Sequence, residues 1–210
     1  LIAGIVGGGL MAAAVGLLAL RTAGVSFMIV TLMIAQAGYL TILYFGATTG
    51  GDEGFNLSAA SRTFAGFDLS TDTPRFLAAL TLFATGLVTS LTLVRSAFGR
   101  TMVAMRENEE RSRMLGYNPF TVKLAALILS GFYSGASGAA YALLFGYAGA
   151  SFATIQYSIL PMLYVLLGGA GTTLGPFLGA ALMFALIEAA SGLTSAYLFF
   201  VSLALVALVL

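Results

Sequence analysis

The sequence predicts an all-α fold, a polytopic bundle of transmembrane helices, and three observations carry that reading. The composition is 60% hydrophobic and 8% charged, with a mean hydropathy of +1.01, outside the range of water-soluble domains. Apolar runs recur at the length a spanning helix needs, ~20 residues, because the hydrocarbon core is roughly 30 Å thick and tolerates no unpaired backbone polar group. The densest cluster of charge, seven of the 17 Lys, Arg, Asp and Glu residues, forms one island, Phe98 to Tyr117 (FGRTMVAMRENEERSRMLGY), set between long apolar stretches.

Taken in order, the first run is Leu1 to Leu20 and the second Gly24 to Phe45, separated by Arg21 and Thr22. A third runs from Phe76 to Val94 and a fourth from Leu124 to Tyr147. Phe152 to Leu167 is short, Leu174 to Ile187 shorter, and Leu193 to Leu210 is long enough but runs off the end. The expectation is about seven spans, with six as the fallback. No Met begins the chain and both termini lie in apolar segments, which reads as a piece truncated at both ends. Leu1 to Leu20 lacks the basic leader of a signal peptide, and Arg21 stands on its wrong side.

Lys and Arg set the orientation, since they accumulate on the cytoplasmic side. The island and its flanks hold Arg95, Arg100, Arg106, Arg111, Arg113 and Lys123. The loop Gly46 to Pro74 holds Arg62, with Arg75 at its edge, against Asp52, Glu53, Asp68 and Asp72. Segment 96–122 is therefore expected to be cytoplasmic and 46–75 external, and Arg21 falls on the cytoplasmic side. Net charge is +1, which gives no basis for a nucleic-acid partner, and the sequence holds no Cys and no His. Disulfides and thiolate metal sites are excluded, and the commonest general base and metal ligand is absent. No nucleophile stands with a base, no carboxylates pair within a span and no metal-ligand cluster exists, so no catalytic residue, metal or cofactor is assigned.

The island itself reads as a helix. Glu107 with Arg111 and Glu109 with Arg113 are acid-first i,i+4 pairs, and Arg106 with Glu110 runs the other way. Phe98, Met102 and Met105 form one apolar stripe, and Asn118-Pro119 closes the segment. A solvated connector accounts for these charges. A docking element for a soluble cytoplasmic partner accounts for the stripe as well, since methionine beside charge suits an adaptable protein contact.

Glycines supply a second pattern. Gly131 and Gly135, Ser134 and Gly138, and Gly175 and Gly179 are small-xxx-small pairs, which let helices approach closely in lipid, although glycine is common in membrane helices in any case. The stretch Gly168 to Pro176 (GGAGTTLGP) resembles either a tight turn or a transporter's broken helix. It lacks the lysine of a phosphate loop. Polar groups expected within the spans are Thr31, Gln36 and Thr41, with Glu188 nearer the interface.

Four ordered stretches carry a resemblance beyond these patterns: LRTAGVSFMIVTLMIAQ from Leu20, TGGDEGF from Thr49, FGRTMVAMRENEERSRMLGYNPFTVKLAALILSGFYSGASGAAYA from Phe98, and LLGGAGTTLGPFLGAALMFALIE ending at Glu188. Together they resemble the LivM-type permease subunit of branched-chain amino-acid ABC transporters. The resemblance implies a multi-pass subunit of the bacterial cytoplasmic (inner) membrane, in contact with lipid. It also implies a second related permease, two cytoplasmic ATPase subunits and an external substrate-binding protein as partners, and ATP hydrolysis on those partners rather than here. Within a permease domain covering 1–210, the segment 96–122 resembles the coupling loop that seats in an ATPase cleft.

Gly99, Arg100, Arg106, Glu107, Asn108 and Gly116 match the family's loop pattern, while Glu110 to Arg113 is more charged than that pattern. The residues expected to dock are Arg100, Met102, Met105, Arg106, Glu107, Asn108, Glu109, Arg111 and Gly116. Thr31 and Gln36 are expected to line the translocation path, and Gly131, Gly135, Gly138, Gly175 and Gly179 to pack helices. A urea or short-amide permease fits the same pattern. An ion-coupled secondary carrier would have to rely on Glu188, and a non-transporting scaffold would use the glycine faces for assembly alone.

Overall fold

A computed structural model describes residues 1–57, 63–64, 67–68, 71–169 and 171–191. It falls into two units, 1–153 and 154–210. In the first unit the apolar runs become α1 (Ile2–Ala19), α2 (Val25–Tyr44), α4 (Asp72–Arg95) and α7 (Pro119–Phe145), all long and apolar enough to cross a membrane. A four-residue helix, α3 (Gly46–Thr49), follows α2. The island forms α5 (Ala97–Glu107) and α6 (Glu109–Met114).

Each long helix has an identifiable start or stop. α4 begins earlier than the apolar run predicts because Asp72 lies in its first turn, where a carboxylate suits the helix dipole, and pairs with Arg75 at 2.6 Å. Asn118 caps α7, its Oδ1 accepting from the Phe120 amide at 3.0 Å, and Pro119 takes the first helical position, where a missing N–H costs nothing. Gly146, at φ 72°, ends α7 in the left-handed conformation.

The packing core of this unit is the α1–α7 pair. A Cβ on Gly8 would stand 2.8 Å from Gly135 Cα, and one on Gly4 would stand 2.9 Å from Gly135 O and 2.5 Å from the Ala139 methyl. Gly131 and Gly135 thus meet Gly8 and Gly4 backbone to backbone, whereas Gly138 faces open space. Lipid gives no hydrophobic drive for association, so this close approach supplies dispersion in its place. α4 joins α7 through Tyr133, whose O–H donates to Thr89 Oγ1 at 2.8 Å. Large apolar side chains such as Leu10, Met33 and Phe76 are more than 60% exposed, which suits lipid or other membrane subunits as their surroundings.

Two short ribbons lie in the segments between the long helices. β1 (Phe55–Asn56) pairs antiparallel with β4 (Tyr147–Ala148), in the register Phe55 to Ala148 and Asn56 to Tyr147, and β2 (Thr63–Phe64) pairs with β3 (Phe67–Asp68). The first pairing puts the segment after α3 and the segment after α7 on one face. The TGGDEGF loop reaches it because Gly50, Gly51 and Gly54 hold φ of 73°, 53° and 69°, and a Cβ on Gly54 would stand 2.6 Å from Ala148 O. Tyr141 stacks on Phe145 and meets Phe152 edge-on, while Arg75 lies 5.7 Å over the Phe145 ring.

The second unit holds α8 (Ile155–Gly168) and α9 (Gly175–Ser191) as a hairpin. Glycines stitch its turn: a Cβ on Gly175 would stand 2.7 Å from Gly168 O, and one on Gly179 would stand 2.9 Å from Gly168 N. Of the expected spans, four helices among the described residues are long and apolar enough to cross a membrane, and α8 and α9 are shorter apolar helices. α8 has 14 residues, ~21 Å at 1.5 Å per residue, which falls short of a ~30 Å hydrocarbon core. The expected span from Leu193 to Leu210 lies outside the described residues.

Candidate functional site: the charged segment between α4 and α7

The segment is built from four consecutive local signals. Ser96 leaves α4 with extended backbone (φ −69°, ψ 168°), and its Oγ accepts from the Gly99 amide at 3.2 Å, capping α5. Gly99 is buried against the Leu93 and Val94 carbonyls, where a side chain would collide with backbone, so the chain turns sharply between α4 and α5. Arg100 Nη1 donates to the Arg95 carbonyl at 2.8 Å, satisfying an acceptor at the end of α4.

Asn108 is the pivot. It adopts φ −158° and ψ 107°, ending α5, and its Oδ1 accepts from the Arg111 amide at 2.9 Å, starting α6. The Ser112 hydroxyl donates to the Asn108 carbonyl at 3.0 Å and is 2% exposed. α6 then ends in a Schellman motif: Tyr117 N–H donates to Ser112 O at 3.2 Å and Gly116 N–H to Arg113 O at 3.0 Å, with Gly116 at φ 90°.

The island is therefore two helices and not one, and this corrects the expected charge pairing. A backbone break at Asn108 removes the 3.6-residue register that would bring Glu107 to Arg111. Those two side chains do not pair with one another, nor do Glu109 and Arg113. Glu109 reaches across to α7 and meets Lys123 Nζ at 2.5 Å, and Glu110 meets Arg113 at 3.7 Å. The Lys123–Glu109 pair is 46% and 40% exposed, so it contributes roughly 0.2–1 kcal/mol and acts more as a positional tie than as a source of stability.

The apolar stripe also turns the opposite way from a docking face. Met105 is buried, and Met102 and Phe98 are half-buried. Met102 and Met105 line a groove of about 230 Å³ with Arg106, Val122, Lys123 and Ala126. Their stripe seats α5 on the start of α7. Arg100, Arg106, Glu107, Asn108, Arg111 and Gly116 are exposed, and Glu109 is half-buried. Large apolar residues on the outside include Val103, Met114 and Leu115, the last two 87% and 71% exposed. They were not singled out in the sequence, where a stripe search favours the internal face of an amphipathic helix. A larger cleft of about 570 Å³ is lined by Leu20, Glu109, Arg113, Tyr117, Phe120 and Lys123 among others. It places the end of α1 on the island's face, opposite the β1–β4 ribbon.

The expected path residues lie apart from this segment. Thr31 Oγ1 donates to the Phe27 and Met28 carbonyls at 3.0 and 2.9 Å, within its own helix, and Gln36 is half-buried. A polar row missed by the sequence reading runs along α4: Thr81, Thr85 and Thr89 recur every four residues, each hydroxyl donating to a carbonyl of the preceding turn. The i, i+4, i+8 threonine spacing was the available signal. Among the described residues no group of acidic side chains could hold a metal ion.

Comparison with known proteins decides the family. The family model described as "Branched-chain amino acid transport system / permease component" matches residues 1–210, the whole chain. The chain belongs to this permease family. It is 31% identical over 201 aligned residues to the high-affinity branched-chain amino acid transport system permease protein LivM of Escherichia coli (strain K12), covering 83% of this chain and 47% of that protein. The Salmonella typhimurium LivM permease protein is 32% identical over 108 residues, which is 51% of this chain and 25% of that protein. The chain thus spans about half the length, or less, of the curated relatives it matches. No solved structure matches it.

Proposed function

We propose that the chain is part of the membrane permease of an ATP-binding-cassette importer for branched-chain, hydrophobic amino acids, and that segment 96–122 is its coupling loop. The observation that carries the reading is the permease-family match over the whole chain. The LivM relatives supply the substrate class. The partners in this reading are a second related permease, two cytoplasmic ATPase subunits and an external substrate-binding protein, in the bacterial inner membrane. The island faces the cytoplasm and the β1–β4 ribbon faces outward, in keeping with the excess of Lys and Arg on the island side.

The geometry of the segment supports transmission of force. The Gly99 turn joins α5 to α4, the Met105 side chain seats it on α7, and the Lys123–Glu109 tie joins α6 to α7. A displacement applied to the exposed face of Arg106, Glu107, Asn108 and Arg111 therefore passes to two long helices at once, and through the glycine contacts from α7 to α1. This is rigid-body coupling rather than ordering of a loose loop. The translocation path is lined in this reading by Thr31, Gln36 and the α4 threonines. Few polar groups are needed there, because selection rests with the external binding protein.

Charge reversal tests the docking role. Glu107→Lys with Arg111→Glu, both exposed, in the assembled transporter is expected to lower substrate-stimulated ATPase activity while membrane insertion is retained. Unchanged stimulation in the correctly inserted variant would refute docking through this face.

A further inference from the structure

The hairpin of the second unit is not absorbed by the coupling reading. α8 runs only from Ile155 to Gly168, with extended backbone at Thr154 (ψ 152°) before it and Gly169 (φ 101°, ψ 106°) after it. Its ~21 Å of helix would leave roughly 9 Å of a ~30 Å core to be crossed by non-helical chain, whose backbone groups lipid does not satisfy. Nevertheless this region belongs in the membrane, since no Lys, Arg, Asp or Glu occurs from Thr154 to Ile187.

Charge gives an independent indication. By chain continuity α8 starts on the external side, directly after β4 and the short 3-10 helix Ala150–Ala153. If it crossed, the turn 169–174 would be a cytoplasmic loop. The other two cytoplasmic loops carry Arg21 and the arginine-rich island, but this turn carries only Gly, Ala, Thr and Leu. It breaks the positive-inside pattern that the rest of the chain obeys. Packing gives a third indication. Gly168, Gly175 and Gly179 bring the two helices into backbone contact just beside the turn, and the Thr172 amide closes it on Gly169 O at 3.3 Å. The two helices thus meet backbone to backbone where they adjoin the turn, a packing that a hairpin ending inside the membrane can use.

We propose that α8, the turn and the beginning of α9 form a re-entrant hairpin that enters from the external face and ends within the bilayer. Its tip presents Thr172 and Thr173 to a water-lined cavity open to that face. Irregular backbone at membrane depth persists only beside protein or water, and the hydroxyls and amides of the tip suit a polar solute passing there. The proposal rests on the orientation given above for the coupling reading, and the experiment separates the two.

The 210 residues hold no cysteine, so Thr172→Cys and Thr173→Cys are introduced singly in an assembled transporter otherwise free of reactive cysteine. Each is treated with a small charged thiol reagent from either face of the membrane, with nucleotide bound and absent. Arg21→Cys and Asn56→Cys report the cytoplasmic and external faces. The tip cysteines are expected to react from the external face in at least one nucleotide state, with labelling from the cytoplasmic face lost relative to Arg21→Cys. Cytoplasmic labelling as fast as Arg21→Cys overturns the hairpin, and labelling from neither face at both positions overturns the water-lined tip. Reversed labelling of the two controls overturns the orientation and with it the charge argument for the hairpin. Sidedness is read without any ATPase signal, so a failure of the coupling reading alone would leave these results unchanged.

Discussion

Gly8→Ala should weaken the first unit, although alanine is the better helix former. A Cβ at Gly8 falls on the Gly131 carbonyl oxygen, 2.8 Å from Gly135 Cα and 3.1 Å from Gly135 N. All three are backbone atoms, so no side-chain rotation can relieve the clash. Optimal carbon contacts lie at ~3.5–4.0 Å, so α1 and α7 must separate by about 0.7 Å or more, and a gap of that size forfeits a quarter to a half of the dispersion along the seam. Overpacking of this kind costs about 1–3 kcal/mol. Gly7 is the internal control, because a Cβ there meets nothing within 4 Å. Gly7→Ala should stabilise by roughly 0.5–1 kcal/mol through backbone entropy alone. The assay is the fraction of purified protein that still elutes as a monodisperse species after heating, followed across temperature. The midpoint should fall for Gly8→Ala and rise or hold for Gly7→Ala. Equal shifts for the two variants would refute the backbone seam between α1 and α7.

Gly116→Val places a β-branched residue at φ 90° and should cost about 1–3 kcal/mol. It should open the end of α6, seen as faster proteolysis between Glu109 and Asn118, and unchanged proteolysis would count against the Schellman stop. Tyr133→Phe removes the hydroxyl that donates to Thr89 and should cost about 0.6 kcal/mol, the average for a hydrogen bond between membrane helices. A midpoint lowered as far as by Gly8→Ala would mean that this bond, and not the glycine seam, organises the unit.

The four long helices were legible because a run of apolar residues at bilayer length is a property of the local sequence. Their ends shifted by a few residues where charge or capping intervened, as at Asp72 and Asn118. The glycines of α7 were legible as a packing face, but their partners Gly4 and Gly8 were not, since spacing within one helix does not name the helix that meets it. Gly138 shows the converse, a glycine in the right register that faces open space.

The island was legible as a charged, helical segment between two long apolar helices and misread in its detail. Helical spacing of Glu107 with Arg111 holds only if the backbone is continuous, and one asparagine that caps α6 with its own side chain ends that continuity. Lys123 and Glu109 lie 14 positions apart, and Phe55 and Ala148 much further, so neither pairing leaves a local trace. The methionine stripe was found correctly as amphipathic and assigned to the wrong neighbour. An apolar face is more often turned to the chain's own core than to a partner, and here the start of α7 covers it.

The central claim, that segment 96–122 seats on an ATPase subunit, is tested most directly by a crosslinking scan. Single cysteines from Arg100 to Gly116 are tested against co-expressed ATPase subunits carrying their own reporter cysteine, with and without nucleotide. Nucleotide-sensitive crosslinks are expected at the exposed positions Arg106, Glu107, Asn108 and Arg111, with the buried Met105 and Ser112 silent. An absence of crosslinks at every exposed position in a correctly inserted protein would contradict the coupling role.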